Sequence, residues 1–420
     1  MPRILILSTT TGYQLRSFAE SAARAGIELI LATDRCHRLD DPWRDAAVAV
    51  RFHEEQASTA AIVEAARHRP IDGVLPLGDR PVPLAARVAG ALGLRGNPPH
   101  AAQASANKTL ARSRFASAGL PVPWFVEVPP GDAEDPRIQY PCVVKPVGLS
   151  GSRGVIRADT PAQLEAAFVQ VRALLARKDV RAARTGLEDT ILIEGFIEGR
   201  EFAVEGVLTA GSLRAFAIFD KPDPLDGPYF EETIYVTPSA LPLAQQAAIL
   251  EQVQRAASAL GLTNGPLHAE CRVGSQGVFM LEVAARPIGG LCARVLQFDA
   301  SPSVGRVPLE EILLRHAAGG DISGYKRESQ AAAVMMIPIP KRGILKQVEG
   351  IELASAVPGI EEVRITAKTD QLLERLPEAG SYLGFIFARG ADPGDLVSAL
   401  KAAQARLRFR IETALTIVGG

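Results

Sequence analysis

The first ninety residues alternate between short apolar runs and segments whose apolar side chains have helical spacing. The apolar runs are RILILS at 3–8, IELILATD at 27–34, AVAVRF at 47–52 and DGVLPLG at 72–78. Amphipathic segments such as QLRSFAESAARAG lie between them. Continuous apolar runs of this length are typical of strands buried on both faces. Because strand and helix alternate, the pattern predicts a doubly wound parallel sheet, and the motif LRGNPP at 94–99 marks its end.

The composition favours a protein that acts on small molecules. The 420 residues include 46 basic and 47 acidic side chains, so there is no net field that would attract nucleic acid or an anionic membrane. No stretch reaches the roughly 18 apolar residues of a membrane span. The four cysteines form no ligand-spaced pair, which suits a reducing compartment. We therefore expect a cytoplasmic protein with neither nucleic acid nor membrane as a partner.

The region after the first sheet has a mixed pattern. NKTLARSRFASAGLPVP at 107–123 predicts a helix with Asn107 as its N-cap, because glycine and proline follow the periodic residues. From 140 to about 290 the strands are longer and mostly linked by hairpins, and helices at 161–176 and 243–260 interrupt them. This mixture predicts an α+β region.

A third segment begins near residue 330. It contains the apolar stretches AAAVMMIPIP, GILKQV, EVRITAK and SYLGFIFARG, and it ends with the helical pattern DLVSALKAAQARLR. Several short strands followed by one helix predict a small, mainly antiparallel domain. The chain is thus predicted to contain domains at 1–97, 98–325 and 326–420.

One loop combines a fixed positive charge with several glycines. In VVKPVGLSGSRGV at 143–155, Lys145 ends an apolar run, and three glycines and two serines follow. Glycines permit positive φ angles and let backbone N–H groups approach a ligand closely, which is a common way to hold phosphate. The alternative is an ordinary turn between two strands.

The stretch LHAECRVGSQGVFMLEVAARPIGG at 267–290 predicts a hairpin with opposed carboxylates. A turn centred on Gln276 places Glu270 opposite Glu282, with their Cβ atoms ~5 Å apart, where like charges are destabilising. The other face is predicted to be apolar and to carry Leu267, Ala269, Cys271, Val273, Phe279, Leu281 and Val283. A magnesium ion between the carboxylates, with Arg286 directed at phosphates, would explain this arrangement. The alternative is an exposed hairpin whose charges are screened by water and salt.

Together these motifs resemble the ATP-grasp superfamily, and most closely its carboxylate-amine ligases of the L-amino acid ligase type. The motifs occur in order: NK at 107, the glycine-rich loop, ILIEGFIEGREFAVEG, and HAE followed by LEVAARPIGG. The resemblance implies a Rossmann-like N-terminal domain, a central ATP-grasp fold and a small C-terminal domain. It also implies ATP and Mg²⁺ as cofactors, with Mn²⁺ as an alternative ion.

The resemblance assigns phosphate contacts to the first half of the central domain. Lys145 would meet the α- and β-phosphates, and Lys108 resembles the first phosphate lysine of the family. The loop from Gly148 to Gly154 would fold over the triphosphate. Its contacts would come from Ser150, Gly151, Ser152 and Gly154. Lys145 and Arg286 are the residues expected to stabilise charge during the reaction.

IEGFIEGREF is interpreted as the adenosine-binding segment. Peptide groups at the strand end near Glu194 would face the adenine edge, and Phe196 and Ile197 would contact the ring. Glu201 suits the two ribose hydroxyls. The alternative for Glu201 is a surface carboxylate in a strand.

The segment FEETIYVTPSALP at 230–242 resembles the substrate-binding segment of the ligases. Glu232 would hold an α-ammonium group, and Tyr235 would line the site. Glu231 is the alternative, because strand alternation allows only one of the two carboxylates to face the substrate. Gly289 and Gly290, which follow the phosphate arginine, would leave room for substrate.

These assignments predict an ATP-dependent ligase that activates a carboxylate as an acyl phosphate and passes it to an amine. Both substrates are expected to be small molecules, most simply amino acids. A biotin-carboxylase-like or carbamoyl-phosphate-like enzyme and a nucleotide-binding sensor without turnover are the alternatives. A homodimer is an expectation drawn from relatives. The sequence identifies no general base, and His268 is interpreted as structural.

Overall fold

The chain forms two compact units, each assembled from three separate segments. The computed structural model describes residues 1–9, 13–34, 47–131, 135–300 and 305–413. The first unit consists of residues 1–122, 202–218 and 241–329. The second unit consists of residues 123–201, 219–240 and 330–420. The predicted domain ranges 1–97, 98–325 and 326–420 are contiguous and stay predictions.

The strands are numbered in chain order. The first are β1 (Arg3–Ser8), β2 (Glu28–Thr33), β3 (Ala47–Ala49), β4 (Gly73–Leu77), β5 (Phe125–Val128), β6 (Cys142–Pro146), β7 (Ile156–Ala158) and β8 (Ile191–Gly195). The next are β9 (Arg200–Thr209), β10 (Ser212–Asp220), β11 (Ile234–Thr237), β12 (Gly265–Gly274), β13 (Gly277–Ala284), β14 (Gln297–Asp299) and β15 (Arg306–Pro308). The last are β16 (Lys326–Arg327), β17 (Ala331–Ile337), β18 (Gly343–Glu349), β19 (Ile360–Ile365), β20 (Leu372–Leu373), β21 (Gly384–Gly390) and β22 (Arg408–Glu412).

The helices are numbered in the same way. They are α1 (Tyr13–Ala25), α2 (Glu55–His68), α3 (Val82–Ala91), α4 (Pro99–Ser105), α5 (Lys108–Ser117), α6 (Pro161–Leu175), α7 (Lys178–Arg181), α8 (Leu243–Leu260), α9 (Leu309–Ala317), α10 (Ile351–Ser355) and α11 (Pro393–Gln404). A short 3-10 helix spans Cys292–Val295. In the described residues, no helix combines the length and the apolarity that crossing a membrane requires.

The first unit contains the predicted parallel sheet, with strand order β3-β2-β1-β4. Residues 4–7 of β1 are completely buried. Helices α2 and α3 pack against the face that carries Leu5 and Leu7. Strands β13, β12, β9 and β10 are also neighbours, in that order. The core beside them includes Phe115 of α5, Val253 of α8 and Cys271 of β12, so the helices predicted at 107–123 and 243–260 support the β12–β13 hairpin.

The second unit contains antiparallel sheets. One has the order β5-β8-β6-β7 and packs against α6, whose N-cap Thr160 accepts a hydrogen bond from the Gln163 N–H. Strands β11, β17, β21 and β19 are neighbours in that order, with α11 against them. Strands β20, β18 and β22 form a small third sheet. The predicted fold class, with a parallel sheet at the N-terminus and antiparallel sheets toward the C-terminus, is confirmed.

Candidate active site

The β12–β13 hairpin places the two predicted metal carboxylates opposite each other, but by a different register from the one predicted. The turn has only two residues, Ser275 and Gln276, because Gly274 pairs with Gly277. A register shift then adds one residue to β13, so that Cys271 pairs with Met280 and Glu270 with Glu282. The tighter turn and the bulge cancel each other, which preserves the predicted carboxylate pair.

The bulge changes which apolar residues of β13 are buried. Val278 and Met280 are buried before the bulge, and Val283 is buried after it. Phe279 and Leu281 were predicted on the apolar face, and both are only partly buried. That prediction was wrong because the two-residue turn shifts the register by one position and moves these side chains to the other face, and the bulge restores the predicted face only from Glu282 onward.

Arg286 lies beside Glu282 and is held by Asp79. Its Nε donates to Oδ1 of Asp79 at 2.8 Å, and its Nη2 donates to Oδ2 at 3.3 Å. Its Nη2 is also 3.6 Å from Oε1 of Glu282. Burial works to lower the pKa of Arg286, but the Asp79 and Glu282 carboxylates outweigh it and raise the pKa. The guanidinium therefore stays charged beside the opposed carboxylates.

His268 of β12 forms a buried pair with Glu205 of the neighbouring strand β9. Its Nδ1 is 3.1 Å from Oε2 of Glu205, and its Nε2 is 3.6 Å from Oε1 of Glu270. The other carboxylate oxygen of Glu205 accepts from the Ile288 N–H at 3.2 Å. Burial alone would lower the pKa of His268, but hydrogen bonds to Glu205 and Glu270 raise it to about 9. The histidine thus has two carboxylate neighbours that hold its ring in place.

Glu270 and Glu282 fit a divalent cation of the hard type. Both contribute carboxylate oxygens, which are the ligands that Mg²⁺ prefers, and the hairpin register sets them face to face. Two carboxylates in this arrangement repel each other unless positive charge lies nearby. Arg286 lies 3.6 Å from Glu282, and His268 lies 3.6 Å from Glu270. The two residues would hold the ion, and this assignment stays a prediction.

In the second unit, Lys145 is partly buried and paired with the buried Glu194. Strands β6 and β8 are neighbours, with Val143 opposite Glu194, and the Lys145 Nζ contacts Oε1 of Glu194. The two side chains are 13% and 2% exposed, so the pairing compensates for the loss of hydration of both charges. Glu194 was predicted to use its peptide groups toward adenine, and the structure shows a second use for its side chain.

The strand predicted to bind adenine lies in the middle of its sheet. Ile193 and Glu194 of β8 are register partners of both β5 and β6, so their peptide groups belong to the sheet. Phe196 follows the strand, with the Arg157 guanidinium over its ring at 4.1 Å from the centroid. Ile197 is buried. The adenine contact therefore stays a prediction that depends on Phe196 and Ile197.

Lys221 connects the predicted ribose and substrate carboxylates. Its Nζ donates to Oε1 of Glu201 at 2.7 Å and to Oε1 of Glu232 at 2.6 Å. The Tyr235 hydroxyl donates to Oε2 of Glu232 at 2.9 Å. Glu201 is buried, so it is not a surface carboxylate. Glu232 and Tyr235, which were predicted to share a site, are in direct contact.

The choice between Glu231 and Glu232 does not follow from strand alternation, as the sequence had suggested. Strand β11 begins at Ile234, so both glutamates precede it. Glu232 makes the contacts with Lys221 and Tyr235, whereas burial raises the pKa of Glu231. Glu232 is therefore the better candidate for the substrate ammonium.

The glycine-rich loop between β6 and β7 has the predicted left-handed backbone. The φ angles are 64° at Gly151, 56° at Ser152 and 71° at Gly154. The Gly154 N–H donates to the carbonyl of Pro377 at 2.9 Å. In this structure that amide therefore serves as an anchor of the loop, although Gly154 was predicted as a phosphate ligand together with Ser150, Gly151 and Ser152.

We expect Gly151→Val to raise the KM for ATP by roughly tenfold. A left-handed conformation costs an L-residue about 1–2 kcal/mol, and a tenfold change corresponds to about 1.4 kcal/mol. The measurement is ATP-dependent ADP release. Gly26→Val is the matched control, because Gly26 has nearly the same φ of 65° and no atoms within 4 Å of an added Cβ. An unchanged KM in Gly151→Val would favour the ordinary turn.

The remaining predicted residues lie where their motifs suggested. Lys108 begins α5, and Asn107 is its N-cap, with Oδ1 accepting from the Leu110 N–H at 2.9 Å. Gly289 is exposed, and a Cβ added there would meet no atom within 4 Å. Gly290 has a φ of 63°. These positions are compatible with the predicted roles, which stay predictions.

Three important residues were missed from the sequence, namely Asp79, Glu205 and Lys221. Asp79 follows the carboxyl end of β4 in the parallel sheet, where ligands commonly bind, and that position was an available signal. Glu205 interrupts the apolar run of β9, and a charge in such a strand suggests a buried partner. Lys221 comes directly after β10, and no local pattern distinguishes it from a surface lysine.

Comparison with known protein families matches three parts of the chain. Residues 19–96 match the ATP-grasp N-terminal domain, and residues 138–295 match the ATP-grasp domain. Residues 335–412 match the L-amino acid ligase C-terminal domain 2. Three domain models of one superfamily thus occur in the order that the sequence motifs predicted.

Individual proteins and solved structures show the same similarity to ATP-grasp ligases. The crystal structure of L-amino acid ligase from Bacillus licheniformis is similar to this chain with a TM-score of 0.83 and 26% identity, over 98% of this chain and 99% of that one. Protein y4rH of Sinorhizobium fredii is 26% identical over 92% of this chain and 79% of its own length. Alanine–anticapsin ligase of Bacillus subtilis is 28% identical over 56% of this chain and 52% of its own.

The matches differ in their extent. The chain spans about half the length of the curated alanine–anticapsin ligase that it matches. A biotin carboxylase from Campylobacter jejuni matches with a TM-score of 0.65 but only 17% identity, which shows a shared fold alone. The three ordered domain models and the L-amino acid ligase structure agree with each other. The chain therefore carries the N-terminal and central domains of the ATP-grasp type followed by an L-amino acid ligase C-terminal domain, and over its length it is similar to the L-amino acid ligase of Bacillus licheniformis.

Proposed function

We propose that the protein is an ATP-dependent ligase that joins a carboxylate to an amine through an acyl phosphate, with release of ADP and phosphate. The observation that carries this proposal is the pair of opposed carboxylates, Glu270 and Glu282, beside the charged Arg286. This set suits the stabilisation of phosphate charge. Phe196 and Ile197 are the proposed contacts of the adenine ring, and Glu232 is the proposed contact of the amino substrate.

In the first step a carboxylate oxygen of the substrate attacks the γ-phosphorus of ATP. The bond from that phosphorus to the bridging oxygen breaks, and ADP leaves with the electron pair. A bound divalent ion would supply charge neutralisation on the phosphate oxygens. Lys145 and Arg286 are the residues proposed to stabilise phosphate charge, because a carboxylate holds each cation in place, Glu194 for Lys145 and Asp79 for Arg286. Preorganised charge of this kind needs no rearrangement during the reaction.

In the second step the amine nitrogen attacks the acyl carbon. The bond from that carbon to the phosphate oxygen breaks, inorganic phosphate leaves, and the nitrogen loses a proton as the amide forms. Glu232 would orient a substrate through its ammonium group. Lys221 and Tyr235 hold the Glu232 carboxylate, one through each of its two oxygens.

Amino acids are the proposed substrates for both positions. The support is the match of residues 335–412 to an L-amino acid ligase domain and the similarity to alanine–anticapsin ligase. We also propose a cytoplasmic location, a homodimer and the three domains at 1–97, 98–325 and 326–420. Mg²⁺ is the proposed ion, and Mn²⁺ is the alternative.

Hydroxylamine trapping tests the reaction class. With ATP, Mg²⁺ and the correct amino acid, hydroxylamine is expected to intercept the acyl phosphate and give a hydroxamate. Glu232→Ala is expected to raise the KM for that amino acid at least tenfold, because a hydrogen bond to a charged group contributes about 1.5–3 kcal/mol. The KM for ATP should change little. Glu231→Ala is the neighbouring control and should leave both constants near their original values.

Other outcomes would favour the alternatives. ADP release that depends on bicarbonate, without a hydroxamate from any amino acid, would indicate a carboxylase-like enzyme. ATP binding without ADP release over a panel of carboxylates and amines would indicate a nucleotide sensor. Equal effects of Glu231→Ala and Glu232→Ala on amino acid use would contradict the role assigned to Glu232.

A further inference from the structure

The glycine-rich loop is attached to a segment from the C-terminal part of the same unit. This segment, residues 374–380, lies between β20 and β21, and we refer to it as the strap. The Gly154 N–H donates to the carbonyl of Pro377 at 2.9 Å. The Arg153 Nε donates to the carbonyl of Glu378 at 3.1 Å. Two adjacent loop residues therefore bind two adjacent carbonyls of the strap.

A chain of ion pairs joins the loop and the strap a second time. The Arg153 Nη2 donates to Oδ2 of Asp179 at 3.0 Å, and the Arg177 Nε donates to Oδ1 of the same carboxylate at 3.0 Å. Arg177 then pairs with Glu374, the first residue of the strap, at 2.9 Å. Arg153 thus takes part in both connections.

The strap also touches the loop directly at two glycines. A Cβ built on Gly380 would lie 2.7 Å from the carbonyl oxygen of Gly151, a distance that real Cβ atoms essentially never show. Gly380 is outside the left-handed region, so its backbone conformation would accept alanine. The requirement for glycine at 380 therefore comes from the close approach of the loop.

We propose that the strap holds the glycine-rich loop in its nucleotide-binding conformation, with Arg153 and Gly380 as positioning residues. This inference rests on the proposed function, in which the loop binds the triphosphate of ATP. The loop contains left-handed residues at 151, 152 and 154, a conformation that a free glycine-rich segment would leave readily. Fixing it in advance lowers the ordering cost of binding, so the strap raises the affinity for nucleotide.

Four variants and two controls test the strap. Gly380→Ala adds one methyl group against the Gly151 carbonyl. Arg153→Met removes the hydrogen bond to the Glu378 carbonyl and the ion pair with Asp179, but it retains an unbranched side chain. Arg153→Lys keeps the charge, and Glu374→Gln weakens the pair with Arg177. Gly131→Ala and Arg181→Met are the controls. Gly131 has no atom within 4 Å of an added Cβ, and Arg181 has an exposed pair with Asp189.

The first measurement is hydrogen exchange of the amides of residues 148–154 in the full chain without nucleotide. Slow exchange is expected in the unmodified protein, and roughly tenfold faster exchange is expected in Gly380→Ala and Arg153→Met. A tenfold change corresponds to about 1.4 kcal/mol, which is close to the contribution of one charge-assisted hydrogen bond. Smaller increases are expected in Arg153→Lys and Glu374→Gln, and none in the controls. Fast exchange in the unmodified protein, or no increase in Gly380→Ala and Arg153→Met, would overturn the strap.

The second measurement is the Kd for ATP with Mg²⁺ by calorimetry, together with kcat at saturating ATP. The Kd is expected to rise about tenfold in Gly380→Ala and Arg153→Met. The kcat is expected to stay within about twofold of the original value, because saturating nucleotide restores the nucleotide-binding conformation of the loop. Faster loop exchange with an unchanged Kd would overturn the positioning role. If the unmodified protein showed slow loop exchange but did not bind ATP, the proposed function would be contradicted. The proposal that the strap raises the affinity for ATP would then be contradicted as well.

Discussion

Glu282→Gln is expected to lower turnover about a thousandfold and to leave the protein folded. Glutamine keeps the shape of the side chain but removes one formal charge from the pair that would hold the divalent cation. A bound metal ion contributes several kcal/mol of charge stabilisation, and about 4 kcal/mol corresponds to three powers of ten in rate. The measurement is ADP release at saturating ATP and Mg²⁺, with a thermal melt of the same sample.

The stability of Glu282→Gln should change little. The side chain is 25% exposed, and its pair with Arg286 is long at 3.6 Å. Partly exposed positions of this kind usually tolerate substitution within about 0.5 kcal/mol. Glu251→Gln, on the exposed face of α8, is the matched control for the chemical change. Turnover within a few-fold of the unmodified protein would rule out the metal role of Glu282.

His268→Leu is expected to destabilise the protein by about 3 kcal/mol. His268 and Glu205 are both buried, and their side chains are bound to each other at 3.1 Å. Removing one partner of a buried ionisable pair leaves the other without compensation, and such losses cost about 3–5 kcal/mol. We choose the lower limit because the Ile288 N–H still donates to Glu205. Denaturant unfolding without metal or nucleotide measures the effect.

A double-mutant cycle separates the pair from simple loss of packing. Glu205→Met combined with His268→Leu removes both polar partners, so it should be more stable than the sum of the single variants predicts. Glu205→Gln should be milder than Glu205→Met, because an amide still offers a hydrogen bond to His268. Additive single effects would show that the two side chains are not coupled and would contradict this description of the buried pair.

The opposed carboxylates illustrate how far local patterns lead. Glu270 and Glu282 belong to one hairpin, and a turn signal with alternating residues was enough to predict that they face each other. The burial of Phe279 and Leu281 was predicted wrongly, because the turn is one residue shorter than assumed and a bulge further along β13 compensates for it. The predicted pairing of Glu270 with Glu282 was therefore correct despite a small error in register. The same error was enough to assign side chains of β13 to the wrong face of the sheet.

The glycine-rich loop shows a second limit. Its composition predicted a left-handed backbone, and the φ angles at Gly151, Ser152 and Gly154 agree. The composition did not indicate that the Gly154 amide would bind the Pro377 carbonyl. Glycine permits a conformation, but only the neighbouring segment decides which amides of the loop are already bound.

By itself the sequence determined the main helices and strands and the types of side chain that are proposed to bind metal and phosphate. Apolar periodicity, caps and turn residues act over a few positions, so the parallel sheet, the helix at Lys108 and the β12–β13 hairpin followed from local patterns. Only the tertiary structure decided the partners of the charged residues. Asp79 and Arg286 are 207 positions apart, and Glu205 and His268 are 63 apart. Buried charges must find compensating groups wherever the fold brings them, and no short-range pattern encodes that separation.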